Sequence, residues 1–410
     1  MRRTRAKEAA VADHMFFPTT GFEFATLIAL GAASYGVAEA GEVRATASRI
    51  TDADADSWFD QWMATGDACL DAAGQAEAAG HVASARGLYL RASFYMGTAF
   101  FYVLATRDPS RSLPTWRRHR GAVDRAFALW PTPVEAVSIP YEDTALQGYF
   151  LSGGDGPRPL VICVNGSDGT VTDMLTAAPL DAVERGYHAL IFDGPGQGQA
   201  LYEQGLFFRH DWEAVITPVV DWASARADVD AARIALQGWS QAGYWVPRAG
   251  AFEHRLAALM VDPGVVRVGD SWTRHLPPPM LTMLDDGDLQ EFDAYMAEGM
   301  KQDPGLALEA AKRLEPYGTD SLAKVLLELR AWDLTDVAGQ IQAPILITSP
   351  DDEQFWPGQS QELHDLCTGA RSRTVVRFTG EEGANWHCEP MAPRLRGQRM
   401  FDWLDAVLAA

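Results

Sequence analysis

Residues 233–243 read RIALQGWSQAG. The apolar run Ile234, Ala235 and Leu236 has the length and texture of a buried strand. It runs through Gly238-Trp239-Ser240-Gln241-Ala242 into the helical stretch 241–253. A serine two residues behind a glycine, on a strand–turn–helix, is the pattern of a nucleophile elbow, G-x-S-x-G. Small residues flank the serine there because strand and helix backbones come close at a sharp turn. Ala242 takes the last small position, with Gly243 directly behind it. The competing reading is a serine that caps a helix, which is common.

The surroundings favour the elbow. VEAVSIPYE (134–142) and ALQGYFL (145–151) read as an opening hairpin. Buried strands follow at 159–166, 188–196, 233–240, 256–264, 344–350 and 374–380. Helices are expected near 172–185, 211–226, 241–253, 358–368 and 392–409. Strands alternating with helices predict a mostly parallel, doubly wound α/β sheet covered on both faces. One long break, 265–340, carries the periodic stretches LQEFDAYMAEGMKQ and SLAKVLLELRAW and reads as a helical insertion. The N-terminal part lacks β-alternation. Its stretches 54–80, 83–104 and 115–130 read as helices, and PTP at 131–133 marks a boundary. The expected domains are thus a helical cap over 1–133 and a catalytic domain over 134–410.

The chain has 410 residues, 47% hydrophobic and 22% charged. That length asks for two domains, or one large core with a substantial insertion. Lys and Arg number 34 against 55 Asp and Glu, a net charge of −21. Nucleic acids and anionic membranes both select a basic face, so neither is an expected partner. Cys69, Cys163, Cys367 and Cys388 form no CxxC pair, so a disulfide framework or zinc site is not expected and a reducing cytoplasm fits. The basic MRRTR start and the apolar stretch 24–41 loosely imitate a secretory signal. Glu8, Asp13 and Glu23 interrupt the approach, and Pro18 and Gly21 separate the charges from the apolar run, which argues against one. No run of ~18 uninterrupted apolar residues suggests a membrane span.

Reactive groups of a parallel sheet collect at the carboxyl ends of its strands. VICVNGSDG ends a strand about 75 residues before Ser240. Its glycine-rich turn can offer a main-chain N–H to a developing oxyanion, assigned to Ser167 with Asp168 as neighbour. The second donor would be Gln241, the residue after the nucleophile. LITSPDDEQFWPGQ ends in three acids, and counting from the strand end selects Asp352 as the acid that orients a histidine. Asp351 and Glu353 stay open, and Asp262 in LMVDPG is a separate competitor. His387, in GEEGANWHCEP, alone among the nine histidines follows the last expected strand. It is the candidate general base, and the order Ser…Asp…His suits this topology. His364, His188 and His254 read as surface or structural. FDGPGQGQA (192–200) imitates a dinucleotide loop, but its third glycine falls one short. It reads as a structural turn in which Asp193 bonds neighbouring amides.

Together these pieces resemble the α/β-hydrolase superfamily over residues 134–410. A narrower likeness, carried by FEFATLIALGAASYGVAEAGEV, DSWFDQW, DGPGQGQ, GWSQAGYWVPRA, EQFWPGQSQELHD and EGANWHCEPM, is to a helical-capped group within it. That group includes 2,6-dihydroxypseudooxynicotine hydrolase and a fungal pigment-pathway hydrolase that shortens a polyketide chain. The resemblance implies cleavage of a carbon–carbon bond next to a ketone in an aromatic or polyketide-like small molecule. It places Ser240, Asp352 and His387 at the triad positions and, with the apolar N-terminal helices, suggests a homodimer; the chemistry needs no metal or organic cofactor, and the sequence shows no motif for one. The alternatives on the same machinery are an ester or lactone hydrolase and an acyl-transferase or cyclase of a biosynthetic pathway. A non-catalytic binder on this scaffold would have lost a triad member. Trp58, Phe59, Trp62, Tyr95, Phe100, Phe101 and Tyr102 are expected mostly to pack helix on helix, with a few facing the site.

Overall fold

The computed structural model describes residues 14–409; the MRRTR start lies outside them. Eight strands form one sheet: β1 (Val134–Tyr141), β2 (Thr144–Leu151), β3 (Arg158–Val164), β4 (His188–Phe192), β5 (Val229–Trp239), β6 (Ala258–Asp262), β7 (Ile345–Pro350) and β8 (Arg373–Phe378). Their order is β1-β2-β4-β3-β5-β6-β7-β8. The hairpin β1–β2 pairs antiparallel, as does β2 with β4, and every later pairing is parallel.

The period-2 alternation of side chains explains why these strands read as continuous apolar runs. On β3, Leu160, Ile162 and Val164 enter one core while Val161 and Cys163 enter the other. On β6, Leu259 and Val261 face one way and Ala258 and Met260 the other. Each face needs a helical cover. The first takes the helices Glu213–Ser224 and Ala242–Gly250, with Val215, Val219 and Val246 buried against it. The second takes Pro179–Glu184 and the C-terminal helix Pro393–Ala409.

The N-terminal helices are α1 (Thr20–Ala32), α2 (Ala40–Ala47), α3 (Ala55–Ala78), α4 (Val82–Phe100) and α5 (Ser112–Ala128). The signal-like stretch 24–41 thus lies mostly in α1 and the turn after it. Helix α3 starts where Asp54 accepts the Ser57 N–H, an N-cap. Trp58 and Trp62 are fully buried and pack on Tyr102 and Tyr95; the Trp58 indole donates to the Thr98 carbonyl at 2.7 Å. These helices do more than cover one end of the sheet. Ala73, Ala85, Leu90, Val123 and Phe127 share a core with Tyr149, Val161 and Ile191, so α3–α5 also pack on a sheet face. Between β6 and β7 the helices Asp270–Thr273, Pro278–Asp286, Leu289–Gln302, Pro304–Leu314 and Leu322–Glu328 fill the long break.

Candidate active site

A cavity of about 630 Å³ lies where the N-terminal helices, the inserted helices and the loops after β3, β5, β7 and β8 converge. Its walls are mostly apolar and aromatic, including Phe24, Phe101, Phe208, Trp272 and Met280. Ser167, Ser240, Gln241 and His387 all line it. Of the N-terminal aromatics named above, Phe101 and Tyr102 reach the cavity, while Trp58, Trp62 and Tyr95 stay in the helical core.

Ser240 leaves β5 with φ of 58°, the left-handed region that an ordinary side chain enters only under constraint. The constraint is visible: its N–H donates to the Asp262 carbonyl at 2.6 Å, and its own carbonyl accepts from Gly243 at 2.8 Å. The small residue at 238 is demanded by crowding, since a Cβ there would stand 2.5 Å from the Ala242 carbonyl oxygen. The serine is therefore held on a strained turn at the head of a helix, not used as a helix cap.

His387 follows the short turn Gly380–Glu382 and is 2% exposed. Its Nε2 is 2.9 Å from Ser240 Oγ. Its Nδ1 lies 2.9 and 2.8 Å from Oε1 and Oε2 of Glu353. The rings of Phe24, Phe355 and Trp356 surround the imidazole.

The acid at His387 is thus Glu353, and the sequence expectation of Asp352 is corrected. The reason is the path of the chain beyond β7. Asp351 still pairs its N–H with Phe378 of β8, and its carboxylate turns outward to Arg377. Asp352 donates its N–H to the Asn385 carbonyl at 2.8 Å and accepts the Asn385 side chain at 2.5 Å, at the surface. The next residue is rotated inward, and the longer glutamate side chain reaches the ring. Main-chain N–H groups of Phe355 and Trp356 donate to Oε1 at 2.8 and 3.1 Å. Burial pushes this carboxyl up, but the facing imidazole and the two donors outweigh it and hold it below its usual range.

Asp262 does not reach the histidine. It is fully buried, its Oδ1 accepts Thr348 Oγ1 at 2.6 Å, and it sits beneath the elbow.

The turn after β3 approaches from the other side. A Cβ at residue 166 would lie 2.8 Å from Ser240 Cβ, so only glycine lets this loop come so close. Asn165 braces the turn, accepting the Gly166 N–H at 2.8 Å and donating to the Gly169 carbonyl. Gln241 is the N-cap of helix Ala242–Gly250, where main-chain N–H groups have no intrahelical partner. Gln197 escaped the sequence reading. Its Nε2 donates to the carbonyls of Asn165 and Gly166 at 2.8 and 3.0 Å, and its Oε1 accepts the Gly194 N–H. In the same loop Asp193 accepts the Gln199 N–H at 3.0 Å and pairs with Arg120 at 2.8 Å. The glycine-rich loop 192–200 therefore props the Asn165–Gly166 turn. Among the described residues no cluster of three or more His, Cys, Asp or Glu could hold a metal ion.

A mostly parallel eight-stranded sheet with a serine on a strained β5–helix turn and a histidine after β8 defines the class of α/β-hydrolases. Among solved structures, 2,6-dihydroxy-pseudo-oxynicotine hydrolase superposes with a TM-score of 0.73 at 23% identity, over 92% of this chain and 95% of that one. No family model matches the chain. Hydrolase LUC6 of Fusarium sp is 30% identical over 410 residues, covering 96% of this chain and 97% of LUC6. The 20-hydroxy-prefusarin hydrolase FUS2 of Gibberella moniliformis is 27% identical over 417 residues, covering 97% and 98%. The chain belongs to this helical-capped family of α/β-hydrolases and is an enzyme, a hydrolase.

Proposed function

We propose that Ser240, His387 and Glu353 act as nucleophile, base and orienting acid in hydrolysis of a carbon–carbon bond next to a ketone, in an aromatic or polyketide-like substrate. The observation that carries this reading is the continuous relay from Ser240 Oγ through both imidazole nitrogens to a buried carboxylate, on the wall of a large apolar cavity. The name of FUS2 gives that relative 20-hydroxy-prefusarin as substrate and no bond; the motif likeness to ketone hydrolases is what favours the carbon–carbon bond.

His387 Nε2 takes the Ser240 proton as Oγ bonds to the ketone carbon, and the carbonyl π pair becomes an oxyanion. Main-chain N–H groups of Ser167 and Gln241 hold that oxygen. On collapse the carbonyl re-forms, the carbon–carbon bond breaks, and its electron pair leaves as an enolate or ring-stabilised carbanion. The imidazolium returns the proton to that carbon. Water, deprotonated by His387, then releases the acid product from Ser240. Glu353 keeps Nδ1 protonated throughout and stabilises the imidazolium.

Residues 1–133 and 265–340 serve as cap and lid in this reading, and the enzyme works as a cytoplasmic homodimer, which light scattering in solution tests. Incubation with a matched aryl 1,3-diketone and aryl ester, followed by mass analysis, tests the bond. Ketone cleavage that disappears in Ser240→Ala is expected. Ester cleavage alone would reassign the enzyme to the esterases, and turnover retained by Ser240→Ala would refute the nucleophile.

A further inference from the structure

Directly behind His387 the backbone does something costly. Cys388 and Glu389 are both non-glycine residues with positive φ, 58° and 43°. Each such residue costs on the order of 1–3 kcal/mol and persists only where its surroundings over-determine it. The surroundings here are Arg396, Asp262 and Glu389, each at most 1% exposed.

Arg396 comes from the C-terminal helix. Its Nη1 donates to the Cys388 carbonyl at 2.7 Å and its Nη2 to the Thr176 carbonyl at 2.6 Å. Nη1 also stands 3.4 Å from Asp262 Oδ2. The guanidinium lies 5.9 Å from the ring of Trp239, the residue before the nucleophile. Through its main chain Asp262 touches Ser240 itself and the residue after His387: its carbonyl accepts the Ser240 N–H at 2.6 Å and the Cys388 thiol at 3.3 Å. Asp262 and Arg396 together thus hold the turn carrying the base and the turn carrying the nucleophile, the first through its main-chain carbonyl and the second through its guanidinium.

The charges close when the carboxyls of Asp262 and Glu389 share one proton, and Arg396 Nη1, 3.4 Å from Asp262 Oδ2, favours the negative charge on Asp262 and the proton on Glu389. The Glu389 carboxyl lies against that of Asp262, with Arg396, Cys388 and Glu353 as the other charged or titratable groups around it. Among the described residues no donor is hydrogen-bonded to Asp262 Oδ2 or to either Glu389 oxygen. Two ionised carboxylates facing each other in a dry interior would repel and stay unsatisfied. A proton on Glu389 makes it a donor to Asp262 Oδ2 and leaves one negative charge against one guanidinium. Burial and the Asp262 charge both push the Glu389 carboxyl well up, in the same direction.

We propose that Asp262, Glu389 and Arg396 form a buried latch of zero net charge, with one proton kept on Glu389, that positions Ser240 and His387 against each other. The latch residues touch no substrate; they are positioning residues, and the inference rests on Ser240 and His387 being nucleophile and base.

Two readouts on the full chain test it. The first is the infrared spectrum at pH 8, in which the wild type should show the carbonyl stretch of a protonated buried carboxyl that Glu389→Gln lacks. No such band, or a band that survives in Glu389→Gln, overturns the shared proton. The second is the rate of Ser240 labelling by a fluorophosphonate in Arg396→Met, counted per labelled site. Misplacement by ~1 Å costs about 100-fold, so a fall of that order is expected, with Arg396→Lys between it and the wild type. Wild-type labelling rates in both variants, with only the melting temperature lowered, overturn the positioning role. If Arg396→Met does not fold, Arg396→Lys is read alone: slower labelling supports the latch, and wild-type labelling overturns it. The infrared band does not depend on turnover, and Ser240→Ala tests the triad separately, so the two failures are distinguishable.

Discussion

Replacing Glu353 with Gln keeps the shape of the side chain and removes its charge. In the native site both carboxylate oxygens lie within 2.9 Å of His387 Nδ1, and the side chain is 6% exposed. An amide at that position can turn its NH₂ toward the ring and select the tautomer with the proton on Nε2, which cannot accept from Ser240. It also leaves the imidazolium of the transition state without its counter-charge. The corresponding Asp→Asn change in a serine protease costs about 10⁴ in kcat. At about 1.4 kcal/mol per decade that is ~5–6 kcal/mol of transition-state stabilisation. Glu353→Gln should therefore lower kcat by about 10³–10⁴ with KM within a few-fold, because the group touches no substrate in the ground state. Asp352→Asn, whose carboxylate accepts from the Asn385 side chain at the surface, should stay within about threefold, as surface changes do. Stopped-flow hydrolysis of p-nitrophenyl acetate by both variants, with circular dichroism as the fold control, makes the comparison. A large loss in Asp352→Asn with near-native Glu353→Gln would return the acid to the neighbouring position and refute the register argued above.

Other perturbations probe the loops and the fold. Gly166→Ala puts a methyl 2.8 Å from Ser240 Cβ, so the β3 loop must retreat; fluorophosphonate labelling should slow at least tenfold, in keeping with loss of an oxyanion donor. Gln197→Ala strands the carbonyls of Asn165 and Gly166, at a cost of about 1–3 kcal/mol in stability, read by urea unfolding together with a lower kcat. Burial pushes the Asp173 carboxyl up to about 6, against ~3.9 in an unfolded chain. The folded protein then holds this proton longer, so the group's contribution to stability is full below about pH 4 and lost as pH rises through about 6, some 3 kcal/mol in all. Melting curves of Asp173→Asn should show a flatter pH dependence between these values than the wild type, and an unchanged slope would remove Asp173 as its source.

The parallel sheet, the elbow and the histidine were legible because each is a local signal. An apolar run of strand length, a small residue beside a serine and a histidine placed after the last strand are written within about ten residues each. The acid was not legible, although all three candidates stood side by side. Which of Asp351, Asp352 and Glu353 turns inward is decided by main-chain bonds to Phe378 and Asn385, partners about 30 residues away. Counting from a strand end cannot register a turn whose pitch is set by a different strand. Gln197 and Arg396 were hidden for a related reason. Arg396 belongs to no motif, and Gln197 sits in DGPGQGQ without its letter announcing a role; each acts by donating to main-chain carbonyls, Asn165 and Gly166 in one case, Thr176 and Cys388 in the other. Main-chain acceptors carry no residue identity, so no pattern of letters announces them. What the sequence does hold is the strain that makes such partners necessary. A serine, a cysteine and a glutamate sit at positive φ where glycine would be easier, and each is pinned by neighbours that the reactive residues need in place. Among the described residues five non-glycine residues have positive φ; Ala53 and Glu142 lie in turns elsewhere, and the other three departures from local preference are Ser240 and the two residues immediately after His387. The residues that hold those departures in position are therefore the ones whose loss should be read in the rate of the serine before it is read in the fold.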